Sequence, residues 1–279
     1  MFRGFYTVGS GMIAQQRRTE LLANNLANAN TPGFKADQST IRSFPEMYMS
    51  SLNANRIPTE KGLNLKGLSP VGELSTGVYM QETLPLFTQG QLRETGLTTD
   101  IALVDGVLPI NEETGLPGAV FYRLENGNGN EYYTKNGNFM LNPEGYLTNP
   151  TGQYVLSANG QRIQLQNDDF QVTSEGVIMD GGTAVATLGV AFAAQPETLS
   201  KTGNGLFASE DGNLPNAAVT NGVSFSFQQG YIEGSNVDSA RAMTDMLSAY
   251  RAFEANQKIL QAYDRSMEKA VNEIGRVNG

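Results

Sequence analysis

Apolar residues near the start of the chain fall at helical spacing. Phe5, Val8, Met12, Thr19, Leu22 and Leu26 are separated by threes and fours, with one polar turn passed over at Gln15; this is how one face of an amphipathic helix is written. Asn30-Thr31-Pro32-Gly33 ends it, since proline cannot continue a helix and disfavours α geometry in the residue before it. A helix to about Ala29 is expected, with Gly33 turning the chain into an extended segment.

Residues 36–83 keep no period. Gly62, Gly67, Pro70, Gly72 and Gly77 punctuate them, so an extended connector is expected, with a strand near Val78-Tyr79-Met80. From about 84 to 232 the pattern is β. Asn136-Gly137 stands between two apolar runs and predicts a two-residue primed hairpin turn. Asn142-Pro143-Glu144-Gly145 and Asn149-Pro150-Thr151-Gly152 place Asn, Pro and Gly as type I turns want them. Other candidate strands are Ala119–Leu124, Tyr154–Leu156, Ile163–Leu165, Phe170–Val172, Val177–Met179, Ala184–Phe192 and Val223–Phe227. No helical period intervenes, so the connections should be antiparallel.

From Asn236 the period is helical again. Met243, Met246, Tyr250, Phe253, Leu260, Met267, Val271 and Ile274 hold heptad-like spacing, interrupted by Gln257 and Asp264. Ser235 or Asn236 would cap this helix, with Asp238 in its first turn. The expected fold is α+β: N- and C-terminal helices forming a coiled-coil-like layer, and a mostly antiparallel all-β middle domain. The parts would be an N-terminal helix at 1–35, a connector at 36–83, a β domain at 84–235 and a C-terminal helix at 236–279.

Size turns this pattern into an argument. A helix of roughly 40 residues is roughly 60 Å long, whereas a β body of near 150 residues has a radius of gyration of ~15 Å. The helix overhangs such a body, and its apolar stripe still needs cover. Burial against other copies supplies it, with the terminal helices as an inner polymerising layer and the β domains outside. An intramolecular hairpin packed on the sheet is the alternative.

Composition narrows the chemistry. Among 279 residues there is no Cys, His or Trp, which removes disulfides, thiol catalysis, Ser–His–Asp triads and the commonest transition-metal ligand. The net charge of −9 is uneven: +3 over residues 1–35, −12 over 36–235 and 0 over 236–279. An acidic middle disfavours nucleic acid and anionic membrane surfaces, and no apolar run reaches the ~18–20 residues of a membrane span. Gln15-Gln16-Arg17-Arg18 comes so soon after Phe5 and Tyr6 that a cleavable signal peptide is not expected.

Candidate sites read as structural. Asp168/Asp169 and Glu112/Glu113 are adjacent pairs in turn contexts, and neighbours on a strand point apart rather than across a cleft. Asn126-Gly127-Asn128-Gly129-Asn130 lacks the sixth-position Gly and twelfth-position Glu of a calcium loop and reads as a hairpin. No strand precedes Gly9-Ser10-Gly11, so it is not a phosphate loop. No catalytic, cofactor or metal residue is expected, and the chain is not expected to be an enzyme.

Longer motifs carry a resemblance. Leu22-Ala23-Asn24-Asn25-Leu26-Ala27-Asn28-Ala29-Asn30-Thr31-Pro32-Gly33-Phe34-Lys35 resembles the N-terminal signature of flagellar basal-body rod and hook proteins. Gly230-Tyr231-Ile232-Glu233-Gly234-Ser235-Asn236-Val237-Asp238 is similar to that family's junction into the C-terminal helix, and Tyr250-Arg251-Ala252-Phe253-Glu254-Ala255-Asn256 to its helical core. Phe87-Thr88-Gln89-Gly90, Tyr133-Thr134-Lys135-Asn136-Gly137-Asn138-Phe139 and Asn204-Gly205-Leu206-Phe207 fit its β domain. One departure is that Asp100-Ile101-Ala102 is followed by Asp105-Gly106-Val107-Leu108 where the family has a Gly-Phe-Phe strand. The single small β domain resembles the distal-rod type, and Ser10-Gly11-Met12-Ile13-Ala14-Gln15-Gln16-Arg17-Arg18 resembles a rod-protein type of Gram-positive bacteria.

The resemblance implies a structural subunit of the basal-body rod. It would be exported without a cleaved signal peptide by the flagellar export apparatus, and would assemble with its own copies and with neighbouring axial proteins. The torque-transmitting tube so formed would also wall the export channel. Interaction residues would be Met12, Leu22, Asn25, Leu26, Asn28, Asn30, Gly33 and Phe34 at the N-terminal end. At the other end they would be Glu233, Ser235, Asn236, Val237, Met243, Met246, Tyr250, Phe253, Leu260 and Met267. The alternatives are a hook-type axial protein, or a non-flagellar oligomeric adhesin or binding module with carbohydrate-binding loops.

Overall fold

The computed structural model describes residues 2–51, 55–56, 64–65, 69–112, 114–210 and 212–274. Two long helices stand at the ends, α1 (Phe2–Ala27) and α2 (Ser239–Lys269), with antiparallel strand pairs between them. The fold is α+β. The chain divides into two compact units, one made of residues 1–24, 38–83 and 240–279, the other of 25–37 and 84–239.

The first unit holds most of α1, all but the first residue of α2, and the 38–83 segment. In that segment Ile41–Ser43 pairs with Val78–Met80, and Met47–Ser51 with Ser69–Leu74. Ser10 of α1 anchors it: its Oγ accepts from Val78 N–H at 3.2 Å, and Gly77 passes so close that a Cβ there would lie 2.3 Å from that oxygen. The sequence sets 36–83 apart as a connector; the structure groups 38–83 with the helices.

In the second unit the central strand is Ala119–Glu125. It pairs with Glu131–Thr134, Tyr154–Val155 and Val190–Ala193. Successive side chains of a strand point to opposite faces, and here both faces are covered. Val120, Tyr122 and Leu124 enter one core with Ile101, Leu103, Phe139 and Phe227. Ala119 and Phe121 enter a second core with Tyr133, Ala191, Leu199 and Phe207. The Asn126–Asn130 run is the hairpin between Ala119–Glu125 and Glu131–Thr134, closed by Asn126 N–H to Asn130 O at 3.2 Å.

Both Asn-Pro-x-Gly turns form as expected. Gly145 and Gly152 sit at φ +81° and +86°, and the side chains of Asn142 and Asn149 accept backbone N–H groups across each turn. The Asn136-Gly137 expectation fails. Met140–Leu141 pairs with Leu147–Thr148, not with Glu131–Thr134. Gly137 is needed for proximity rather than for positive φ: a Cβ there would lie 1.8 Å from Ile101 O. The glycine lets the chain cross against the strand Ile101–Asp105, which pairs with Phe225–Gln229. That strand ends at Asp105, so the departure Asp105-Gly106-Val107 begins on its last residue and runs past its end.

Other expectations are corrected by local packing. Ala184–Phe192 is two strands in different sheets, Thr183–Thr187 and Val190–Ala193, parted where Gly189 crosses Leu156 and Ser157. Ile163–Leu165 makes only isolated bridges, from Arg162 and Gln164 on either side of Ile163. Short strands such as Leu92–Glu94, Ser200–Gly203 and Leu206–Ala208 carry no apolar alternation long enough to be read.

Candidate functional site

Three of the family-like motifs meet at one place in the second unit. After α1 the chain makes tight turns, with Thr31 N–H to Asn28 O at 3.1 Å and Phe34 N–H to Thr31 O at 3.3 Å, then passes Gly33 at φ +69°. There it lies against the Lys135-Asn136 backbone. Beside it run 86–91 and 230–236, where Tyr231–Glu233 pairs with Leu92–Glu94. Gly33 N–H donates to Glu233 O at 2.8 Å, and Gly234 N–H to Gln91 O at 2.8 Å.

Side chains close this junction. Lys35 Nζ donates to Glu233 Oε1 at 2.6 Å and to Thr88 O at 2.9 Å, and neither charged side chain has any solvent exposure. Gly90 N–H also donates to Glu233 Oε1, at 2.8 Å. Asn236 ties two segments together. Its Oδ1 accepts from Ala36 N–H at 2.7 Å, and its Nδ2 donates to Leu86 O at 2.8 Å and to Thr88 O at 3.1 Å. Asn25 binds Asp37 with both side-chain atoms, Nδ2 to O and Oδ1 from N–H, each at 2.9 Å.

A second ion pair, Lys135–Asp105, with its lysine buried and its carboxylate half-buried, lies in the same field. Burial pushes the Lys35 ammonium below the ordinary lysine range, against the pull of Glu233. Removing one partner of a buried pair leaves a bare charge, at a cost of about 3–5 kcal/mol.

Nearby, Tyr122 is wholly buried and its hydroxyl donates to Ile101 O at 2.6 Å. Burial, with the charges of Glu233 and Asp105, raises its pKa well above the usual tyrosine value. A tyrosine whose folded pKa is raised holds its proton where the unfolded chain has lost it, so its contribution is full below about pH 10 and is lost above. Lys35, lowered, works in the opposite sense only below about 10.5. The denaturant midpoint is therefore expected to fall as pH rises beyond about 10.5, and Tyr122→Phe to flatten that fall.

The helices present a different surface. Gly4 and Gly11 of α1 face α2: a Cβ at Gly4 would lie 2.3 Å from Tyr263 Oη, and one at Gly11 3.1 Å from Asn256 Nδ2. The helices therefore run antiparallel. Along α2 the covered positions are Ala242, Met246, Ala249, Phe253, Asn256, Leu260, Tyr263 and Met267, stepping by four and three. The stripe expected from sequence is thus split. Met246, Phe253, Leu260 and Met267 lie on the covered face, but Met243, Tyr250 and Val271 are 52%, 53% and 72% exposed. Ile274's side chain lies outside the described residues. The covered row is set by Ala242, Ala249, Asn256 and Tyr263, so the interruptions at Gln257 and Asp264 fall outside it. Gln15, passed over in α1, is half-buried, and its Oε1 is buried without a partner among the described residues.

Met12, Leu22 and Leu26 are half-buried on α1, while Tyr6 and Ile13, seven residues apart, are exposed. Asn28 Oδ1 accepts locally from Thr31 Oγ1, and Asn30 is exposed. Phe34 lies under the Lys201 ammonium, 5.3 Å from its ring centre. The capping role read for Ser235 or Asn236 is corrected, and Asp238, read in the first turn, stands just before the helix. Helix α2 starts at Ser239 because Asn236 is committed to the junction, and Ser235 Oγ accepts only from Val237 N–H. Sequence reasoning misses the Lys35–Glu233 pair. Its one signal along the chain is a carboxylate set directly after Tyr231-Ile232 in a strand-like context.

Residues 5–35 match the family described as "Flagella basal body rod protein", 116–180 the "Flagellar hook protein FlgE/F/G D1 domain", and 228–273 the "Flagellar basal body rod FlgEFG protein C-terminal". The chain is 45% identical to the flagellar hook-basal body complex protein FlhO of Bacillus subtilis, over 99% of this chain and 100% of that one. It is 28% identical to the basal-body rod protein FlgF of Caulobacter vibrioides over the full length of both, and 29% identical to the rod protein FlgG of Bacillus subtilis, over 98% and 99%. The matched ends are the segments that meet at the buried junction and continue into the two helices, and the chain belongs to the flagellar basal-body rod protein family, whose members are structural proteins and not enzymes.

Proposed function

We propose that the chain is a rod subunit of the flagellar basal body that assembles with its own copies and with neighbouring axial proteins through the outer faces of α1 and α2. The observation behind this is the row of large apolar side chains left in water on a helix already covered along its other face. Met243, Leu247 and Tyr250 are each about half exposed and lie within two turns of α2; Tyr6 and Ile13 of α1 are 69% and 57% exposed. Contiguous exposed apolar rows of this kind mark interaction surfaces. A helical row facing other helices in a coiled-coil-like layer would bury them. Contacts between different surfaces of successive subunits generate an open helical array, which suits a tube. Torque transmission, a role in walling the export channel, and export without a cleaved signal peptide belong to this reading.

The double variant Met243→Glu/Tyr250→Glu tests it. Both side chains are exposed, so the stability of the isolated chain in urea should stay within about 0.5 kcal/mol of the parent. Swimming and incorporation into basal bodies should be lost. Normal incorporation of a folded double variant would falsify the assembly surface.

A further inference from the structure

Glu233 uses its two oxygens unequally. Oε1 takes both Lys35 Nζ and Gly90 N–H, whereas Oε2 is buried with no partner among the described residues. Such a carboxylate is poorly compensated for its desolvation, and without Lys35 it would keep a single N–H donor for two buried oxygens. Lys35 is as dependent: without Glu233 its buried ammonium would keep only Thr88 O. The partners lie 198 residues apart. One is in the segment that leaves α1, the other in the segment that leads to α2, and both are received by the same stretch, Leu86–Gln91. Backbone bonds tie the two directly, Gly33 N–H to Glu233 O and Asn236 N–H to Phe34 O at 3.4 Å.

Two apolar side chains could each seat alone. Two opposite buried charges cannot, because each is costly until the other arrives. We propose that Lys35 and Glu233 form a two-ended lock, so that neither the 31–37 segment nor the 231–237 segment is held in the β unit unless the other is held too. Resting on the rod reading, this makes the junction a completeness check. A chain still lacking its C-terminal segment leaves residues 31–37 loose, and only a complete chain offers neighbours two seated ends.

Amide hydrogen exchange on the full chain reads the lock directly. In the parent, amides of 31–37 and 231–237 should open with one common protection factor, below that of 119–125. Lys35→Met should speed exchange in 231–237 as well as in 31–37, by about a hundredfold in both, while 119–125 stays protected. The charge-free pair Lys35→Met/Glu233→Met, which buries no bare ion, should restore protection but let the two segments open at different rates. Two distinct protection factors in the parent chain overturn the proposal, whatever the variants do. So does a Lys35→Met chain that loosens 31–37 alone. These readouts come from the isolated chain, so their failure leaves the assembly surface on the helices standing, and failure of the Met243/Tyr250 test leaves the lock standing.

Discussion

Gly33→Ala is expected to destabilise the β unit by about 3 kcal/mol or more. Two costs combine. At φ +69° any Cβ meets the left-handed penalty of roughly 1–2 kcal/mol. This one would also lie 2.5 Å from Asn136 N and 2.7 Å from Lys135 C. Those are backbone atoms of a segment packed over a buried lysine, and they cannot swing aside as the end of a flexible side chain can. Gly96 is the control, with φ +70° and no described residue within 4 Å of the added carbon. Gly96→Ala should therefore show the conformational penalty alone. Urea midpoints of the two variants compare them, and equal losses would mean that close approach is not why a glycine stands at 33.

Phe121→Ala is expected to cost about 3–5 kcal/mol. Its ring has no solvent exposure and packs against Phe87 and Phe207 at centroid separations of 5.3 and 5.6 Å, Phe87 and Phe207 themselves being 5.3 Å apart. Such aromatic contacts add to simple area burial. Lys135 Nζ lies 5.9 Å from the same ring centre, so the cluster also backs the lysine that Gly33 packs beside. Loss of the ring should lower the unfolding midpoint and speed exchange in 86–91. An effect under about 1 kcal/mol would mean that the site collapses to fill the gap.

Much of the fold is legible along the chain because it is local. Helix α1, its stop before Pro32, and the turns at Gly145 and Gly152 depend on residues within a few positions of one another, and those positions carry the required chemistry. The helical period of the C-terminal end is equally plain. Its phase is not, because a heptad row of Met243, Met246, Tyr250 and Phe253 and one of Ala242, Met246, Ala249 and Phe253 share half their members. Which row is covered depends on Gly4 and Gly11, more than two hundred residues away.

The junction is the stronger case. The motifs at 22–35, 87–90 and 230–238 can each be recognised, and the family with them, but nothing in their spacing says that Lys35 reaches Glu233 or that Asn236 turns from helix capping to hold Ala36 and Leu86. Asn136-Gly137 has the composition of a hairpin, yet it is used for the room it leaves beside Ile101 O. By itself the sequence determined the element types, the antiparallel β middle, the helical ends and the family, since short-range sterics and periodicity decide those. Tertiary structure alone decided the phase of α2, the partners of the buried charges and the purpose of Gly33 and Gly137, because each rests on a contact between segments that only folding brings together.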